Sequence, residues 1–187
     1  MTEASDEALV RRARGGDAEA YGLLVERYQG RMLAYARHMG FAPADAEDLV
    51  QEGFVRGFRN LGRCGDPSRF DGWLFRIVSN LLRSAVRRRG RRPVVHDQEV
   101  LGRIPSSLPG PEERAEGEWT RERVREALDG LPADQREALV LLYLEGRSVS
   151  EISEWTGASP SAVKMRLKRG RDALRVALAP CFEEEVE

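Results

Sequence analysis

The chain has 187 residues, 41% of them hydrophobic, with 30 basic and 31 acidic side chains and a formal net charge of -1. That length allows one domain or two small ones, and no apolar run approaches the roughly 20 residues a membrane-spanning helix needs. Balanced charge excludes a generic polycation, so any basic function must come from how the charges are segregated along the chain.

The opening stretch "MTEASDEALVRR" has acids where a signal peptide would carry a basic start and an apolar run, so the chain is expected to stay in the cytoplasm. A short helix is expected near 5–14, ending at Gly15. Residues 17–39 repeat apolar side chains at Tyr21, Leu24, Val25, Tyr28, Met32, Tyr35, Ala36 and Met39, the spacing of an amphipathic helix. Asp17 can cap its start and Gly40 can end it. Residues 44–61 continue the pattern through Ala46, Val50, Phe54, Phe58 and Leu61. Away from that apolar side, Glu47, Asp48, Gln51 and Glu52 form an acidic, amide-bearing patch. Such a patch repels phosphates and suits a protein partner with a basic surface.

A third long helix is expected from about Phe70 to Arg88. Leu74, Ile77, Val78, Leu81, Leu82, Ala85 and Val86 share one side of it. The opposite side carries Trp73, Arg76, Asn80, Arg83, Ser84 and Arg87, a stripe about 21 Å long. Amides that read base edges, an indole that can stack and arginines that hold a backbone suit nucleic acid with partly exposed bases, and "RRRGRR" at 87–92 strengthens that reading. From Pro93 to Glu118 prolines, glycines and clustered acids replace large apolar residues. Such a composition reads as a tether, which at full stretch would span about 85 Å.

Helical texture returns over 119–179, with helices expected at 119–129, 133–144, 148–156 and 160–177. Pro132 opens the second of these, Gly146 closes it, Ser148 caps the third and Ser159 caps the fourth. Ser153, Gly157 and Val163 occupy the small, left-handed and inward positions of a helix-turn-helix. In the last helix Val163, Leu167, Gly170 and Leu174 face inward. Ser161, Lys164, Met165 and Lys168 form its outer ridge, with Arg166 and Arg169 on one flank and Arg171 and Arg175 on the other. A ridge for base edges between two phosphate-facing flanks is what a helix in a major groove needs. The acidic tail, 180–187, has no assigned role.

The fold class expected is therefore all-α: two small helical domains, 1–92 and 119–179, joined by a flexible linker at 93–118. No motif for catalysis, cofactor binding or metal ligation is present; Cys64, Cys181, His38 and His96 lack paired ligand spacing and read as reduced thiols and surface histidines. Two functions can be weighed on the residues alone: a free-standing helix-turn-helix regulator and an interaction protein without a DNA role. The first would need a dimerisation surface, and no long heptad seam is present. The second leaves two basic faces unexplained.

"DAEDLVQEGFVRGFRNL", "FDGWLFRIVSNLLRSAVRRRGRR" and "LPADQREALVLLYLEGRSVSEISEWTGASPSAVKMRLKRGRDALR" together resemble sigma factors of the sigma-70 family, in the small extracytoplasmic-function group. The resemblance implies that Asp48, Gln51 and Glu52 bind the β′ coiled coil of core RNA polymerase, and that the second domain meets the β flap. It implies that the stripe from Trp73 to Arg87 faces the -10 promoter element, with Asn80 and the loop 61–69 capturing a flipped base. Ser161, Lys164, Met165 and Lys168 would face the -35 element, and Arg166, Arg169 and Arg171 its phosphates. An anti-sigma protein is implied as a further partner. Three departures stand out: Trp155, Thr156 and Ala158 replace aliphatic residues, Gly53 and Gly57 interrupt the acidic helix, and Met165 puts an apolar side chain in a reading position.

Overall fold

A computed structural model describes residues 4–89 and 123–183, and every regular element among them is helical. The first domain contains α1 (Asp6–Arg14), α2 (Ala18–His38), α3 (Pro43–Arg59) and α4 (Phe70–Arg89). The second contains α5 (residues 123–129), α6 (Ala133–Leu139), α7 (Val149–Thr156) and α8 (Pro160–Glu183). The segment read as a tether lies outside the described residues.

Local signals set most of these boundaries. The Ser5 hydroxyl accepts from the Ala8 amide and the Asp17 carboxylate from the Ala20 amide, each meeting an N–H that has no partner inside its helix. Gly40, at φ +84°, turns the chain out of α2. α3 starts at Pro43 and stops at Arg59, two residues before its expected end, because Leu61–Arg63 tightens into a 3₁₀ turn and Pro67–Arg69 forms another. Pro132 stands just before α6, as its N-cap, rather than inside its first turn. α6 widens into a π-type turn at Val140–Leu144. α8 extends to Glu183, past its expected end at 177 and into the segment read as a tail.

The first domain closes on Leu9, Val10, Leu24, Met32, Phe54, Leu74, Val78 and Leu82, all buried. Where α3 crosses α4 the two glycines are the contact. A Cβ on Gly53 would come within 2.7 Å of Val78 Cγ2, and one on Gly57 within 3.4 Å of Leu74 Cδ1 and 2.8 Å of the Tyr21 hydroxyl of α2. Their cost in helix propensity, about 1 kcal/mol each, buys close approach of two helix backbones. Phe58 departs from its expected inward position: it is 49% exposed and lies tilted against Tyr21, ring centroids 5.0 Å apart.

The second domain closes on Leu139, Leu141, Ile152, Val163 and Leu167. Gly170 lets α8 approach α6, since a Cβ there would come within 2.8 Å of Leu139 Cδ1. The two cores join into one buried cluster, with α4 of the first domain packed against α7 of the second.

Candidate nucleic-acid interface

The helix-turn-helix forms as its spacing predicts. Ser148 and Glu151 make a reciprocal capping box, in which the Glu151 amide donates to Ser148 Oγ at 3.2 Å and the Ser148 amide to the Glu151 carboxylate at 2.9 Å. Those bonds and Arg147 pull the Glu151 carboxyl down to about 2. Gly157 adopts φ +70°, and the Ser153 hydroxyl donates across the corner to the Ala158 carbonyl at 2.6 Å. The Ala162 amide donates to Ser159 Oγ at 3.2 Å, so Ser159 does cap α8.

On α8, Val163, Leu167 and Gly170 are buried and Leu174 is half-buried, which turns the predicted ridge outward. Ser161, Lys164, Lys168, Arg169 and Arg171 are exposed, and Met165 is 49% exposed. Arg166 differs: its guanidinium pairs with Asp134 at 3.1 Å and is partly covered. The result is an open cationic ridge with an apolar thioether among its ammonium groups.

α3 presents Glu47, Asp48, Gln51 and Glu52 to solvent, with Glu52 bridged to Arg56 at 2.6 Å. Beside them, between α2 and α3, runs a groove of about 760 Å³ floored by Val25, Val50, Phe54, Val55 and Phe58 and rimmed by Glu47 and Gln51. The patch is thus an acidic edge on an apolar trough, which helical projection of α3 alone did not reveal.

α4 holds the expected apolar side inward, through Leu74, Val78, Leu81, Leu82 and Ala85. Its polar stripe is not uniformly open. Arg76, Asn80 and Arg87 are exposed, while Trp73 and Ser84 are half-covered, Trp73 by the Phe70 ring at 5.9 Å. Asn80 accepts from Arg83 at 2.7 Å, and Arg83 donates onward to the Thr156 carbonyl of the second domain at 3.1 Å. Between these two sides lies a third that sequence projection assigned to neither: Phe75 and Ser79 are fully buried, against α6 and α7.

Against that third side α6 places a buried acid. Glu137 is 1% exposed; its Oε1 accepts from the Tyr35 hydroxyl at 2.9 Å and from the Ser79 hydroxyl, and lies 3.8 Å from Arg83 Nε. Its Oε2 has no hydrogen-bond partner. Burial, then the neighbouring carboxylate, pushes the Tyr35 phenol well above its ordinary range. Trp155 stacks on Phe75 at 4.7 Å, with Arg147 4.4 Å from its ring. Ion pairs surround this centre: Arg31 with Glu145 at 2.5 Å, Arg69 with Glu154, and Arg147 with Asp71 at 3.5 Å. Arg136 donates to the Met39 carbonyl at 3.0 Å. His38, read as a surface histidine, is instead half-buried, with Nδ1 unpartnered and its pKa lowered by that burial.

Sequence reasoning missed Glu137, Tyr35 and Ser79 as a set. One signal was available: "REALVLLYL" puts an acid directly before a long apolar run, a position that requires a partner if that run is buried. Among the described residues no cluster of His, Cys, Asp or Glu is arranged to hold a metal ion, and no helix is long and apolar enough to cross a membrane. Cys64 is a buried free thiol.

Comparison with known proteins agrees with this geometry. The family described as Sigma-70 region 2 matches residues 24–92, and that described as Sigma-70, region 4 matches residues 121–174. The RNA polymerase sigma-H factor of Pseudomonas aeruginosa is 31% identical over 98% of this chain and 99% of its own length. The ECF RNA polymerase sigma-E factor of Escherichia coli is 31% identical over 94% of this chain and 95% of its own length. The ECF RNA polymerase sigma factor SigE of Mycolicibacterium smegmatis is 38% identical over 88% of this chain, which spans 63% of that relative. Among solved structures, CnrH in complex with the cytosolic domain of CnrY is similar at a TM-score of 0.70 and 31% identity, covering 95% of this chain and 99% of that one. The sigma factor RpoE in complex with the anti-sigma factor NepR, from Bartonella quintana, is similar at 0.64 and 26%, covering 85% and 96%. The chain belongs to the extracytoplasmic-function group of the sigma-70 family: it is a non-enzymatic initiation factor that directs RNA polymerase to promoters.

Proposed function

We propose a division of labour among three surfaces. Asp48, Gln51 and Glu52 hold the β′ coiled coil of core polymerase, with the apolar trough beside them receiving its non-polar side chains. Trp73, Arg76, Asn80, Arg83, Ser84 and Arg87 face the -10 element, where the loop 61–69 helps to trap an unpaired base. Ser161, Lys164, Met165 and Lys168 read the -35 element, between phosphates held by Arg166, Arg169 and Arg171. Exposed Tyr143 and Leu144 offer the second domain an apolar contact for the β flap. The protein works in the cytoplasm, and an anti-sigma protein, such as the partners of the two structural relatives, restrains it.

The observation that carries this reading is the segregation of charge in a chain whose net charge is only -1. An exposed acidic edge lies on α3, and the exposed cations of α4 and α8 lie on other helices. Phosphates would be repelled from the first and drawn to the others. Unstacking a base costs a few kcal/mol, which polymerase contacts and two tethered DNA sites together can supply. The free protein therefore binds promoters weakly.

Run-off transcription with purified core polymerase tests the scheme. The native chain should give new promoter-specific transcripts. Asp48→Arg should abolish both transcripts and comigration with core while leaving the helical circular dichroism unchanged. Retained association would remove the α3 patch from the assignment.

A further inference from the structure

α4 lies along the seam between the two domains, whereas the ridge of α8 stays open, and that ridge carries one side chain its charge does not explain. Over the first three turns of α8, residues 160–170, Met165 is the only large apolar side chain left in solvent, at 49% exposed. It is also the one that points most directly outward. At 100° per residue it falls within about 15° of the direction opposite the buried Val163, Leu167 and Gly170. Ser161 and Lys168 lie to one side of it and Arg169 to the other, and Lys164 stands nearer the flank. Met165 belongs to the second turn, and the N-terminal turns are those that a helix-turn-helix presents to base edges. An apolar tip therefore leads, with exposed cations around it.

The chemistry of the major groove narrows what that tip can face. Guanine shows two acceptors there, adenine an acceptor and a donor, and cytosine a donor. Thymine alone adds an apolar group, its C5 methyl. A thioether pressed on a polar edge strips water from it and returns no hydrogen bond. Pressed on the methyl, it removes apolar surface of both partners from water. The neighbouring lysines cannot make this distinction. An ammonium group donates to any acceptor, and guanine, adenine and thymine all offer one in this groove.

We propose that Met165 is a specificity-determining residue that reads one thymine of the upstream duplex through its C5 methyl group, while Lys164 and Lys168 supply contacts that tolerate several bases. This rests on the assignment of the α8 ridge to the -35 element, and it names what one side chain of that ridge selects. Selection works in two directions: thymine gains an apolar contact, and a base with only polar groups in the groove loses hydration without return.

Holoenzyme assembled from core polymerase and the full chain tests this on duplexes randomised across the upstream element. The native chain should select a thymine at a position where Met165→Ala shows no such preference. Deoxyuridine in place of that thymine deletes the methyl and nothing else. It should weaken native binding about fourfold, the worth of one buried methyl-sized group, and leave binding by Met165→Ala unchanged. With cytosine at the same position, 5-methylation should tighten native binding by a similar factor, again only where Met165 is present. A uracil penalty of equal size in the native and Met165→Ala holoenzymes, no penalty at any selected thymine, or no gain from 5-methylcytosine overturns the proposal. Lys164→Ala with Lys168→Ala separately reports on the ridge and should lower affinity for thymine and uracil duplexes alike. Undiminished affinity there would sink the -35 reading of α8; lowered affinity there, with no methyl effect in the native chain, sinks only the role of Met165.

Discussion

α4 and α8 are both long, basic and amphipathic, and projection of either helix alone yields one apolar side and one cationic side. In the folded chain they are treated differently. α8 keeps Lys164, Met165, Lys168 and Arg169 open to solvent and spends only its narrow inward face on packing. α4 is buried on two sides, and the hydrogen bond from Arg83 to Thr156 ties its polar stripe to the neighbouring domain. The lesson is that cationic surface is not the same as available surface. A helix that reads intact duplex needs only its charge and its ridge, and it can be displayed permanently. On the proposed reading α4 meets unpaired bases with an aromatic ring and guanidinium groups, which equally suit a protein surface, and Arg83 of that stripe is bonded to the second domain.

The contrast is most strongly tested at the open ridge. Lys164→Ala with Lys168→Ala should weaken holoenzyme binding to upstream duplex by about 10²-fold or more, since each base or phosphate contact is worth roughly 1–3 kcal/mol. The slope of affinity against salt should fall by about one for each phosphate contact removed. Heparin-resistant melting downstream should survive on templates that present the upstream element at saturating concentration. Equal damage to both steps would mean that the two helices do not divide the promoter between them.

A smaller effect sharpens the covered side. Tyr35 donates to Glu137 at 2.9 Å across the seam. Tyr35→Phe leaves that buried carboxylate short of a donor, at about 1.5–3 kcal/mol for a bond to a charged group. Were the domains apart, the same hydroxyl would face water and its loss would cost almost nothing. Urea unfolding of the full chain measures the difference. A Tyr35→Phe, Glu137→Gln double-mutant cycle should show coupling, and its absence would count against a closed seam.

What the sequence reveals follows the same divide. Caps at Asp17, Ser148 and Ser159 and the left-handed turn at Gly157 are local, requiring only a few neighbouring residues, and all four are in place. The inward face of α8 follows from periodicity. The third side of α4 does not, because a single-helix projection offers two sides and the partners of Ser79 and Tyr35 lie 58 and 102 residues away. Gly53 and Gly57 read as interruptions of α3 because propensity counts their cost, while the close crossing that uses them is a property of two helices. Trp155 is the instructive case. It stood out as an aromatic where the family has aliphatic residues, and its reason is the glycine at position 72 of the other domain. Phe58 was misplaced for the opposite reason, since the pattern that puts it inward does not reveal that α2 and α3 leave a trough there.

The smallest expected effect lies in the scaffold of the open ridge. Glu151 closes the capping box of α7, accepting from the Ser148 amide and hydroxyl at 2.9 and 2.8 Å and from Arg147 at 2.9 Å. These bonds hold its carboxyl at about 2, below the ordinary 4.5. A depressed carboxyl contributes stability that is present in full above its unfolded value and lost as pH falls from there through the folded one. The side chain is 40% exposed, so solvent screening reduces the contribution to about 1 kcal/mol, the usual worth of a cap. Glu151→Ala should therefore melt below the native chain at pH 7, and the gap should narrow between pH 4.5 and 3. Alanine is the better helix former, so a change acting through propensity alone would raise the melting temperature equally at every pH.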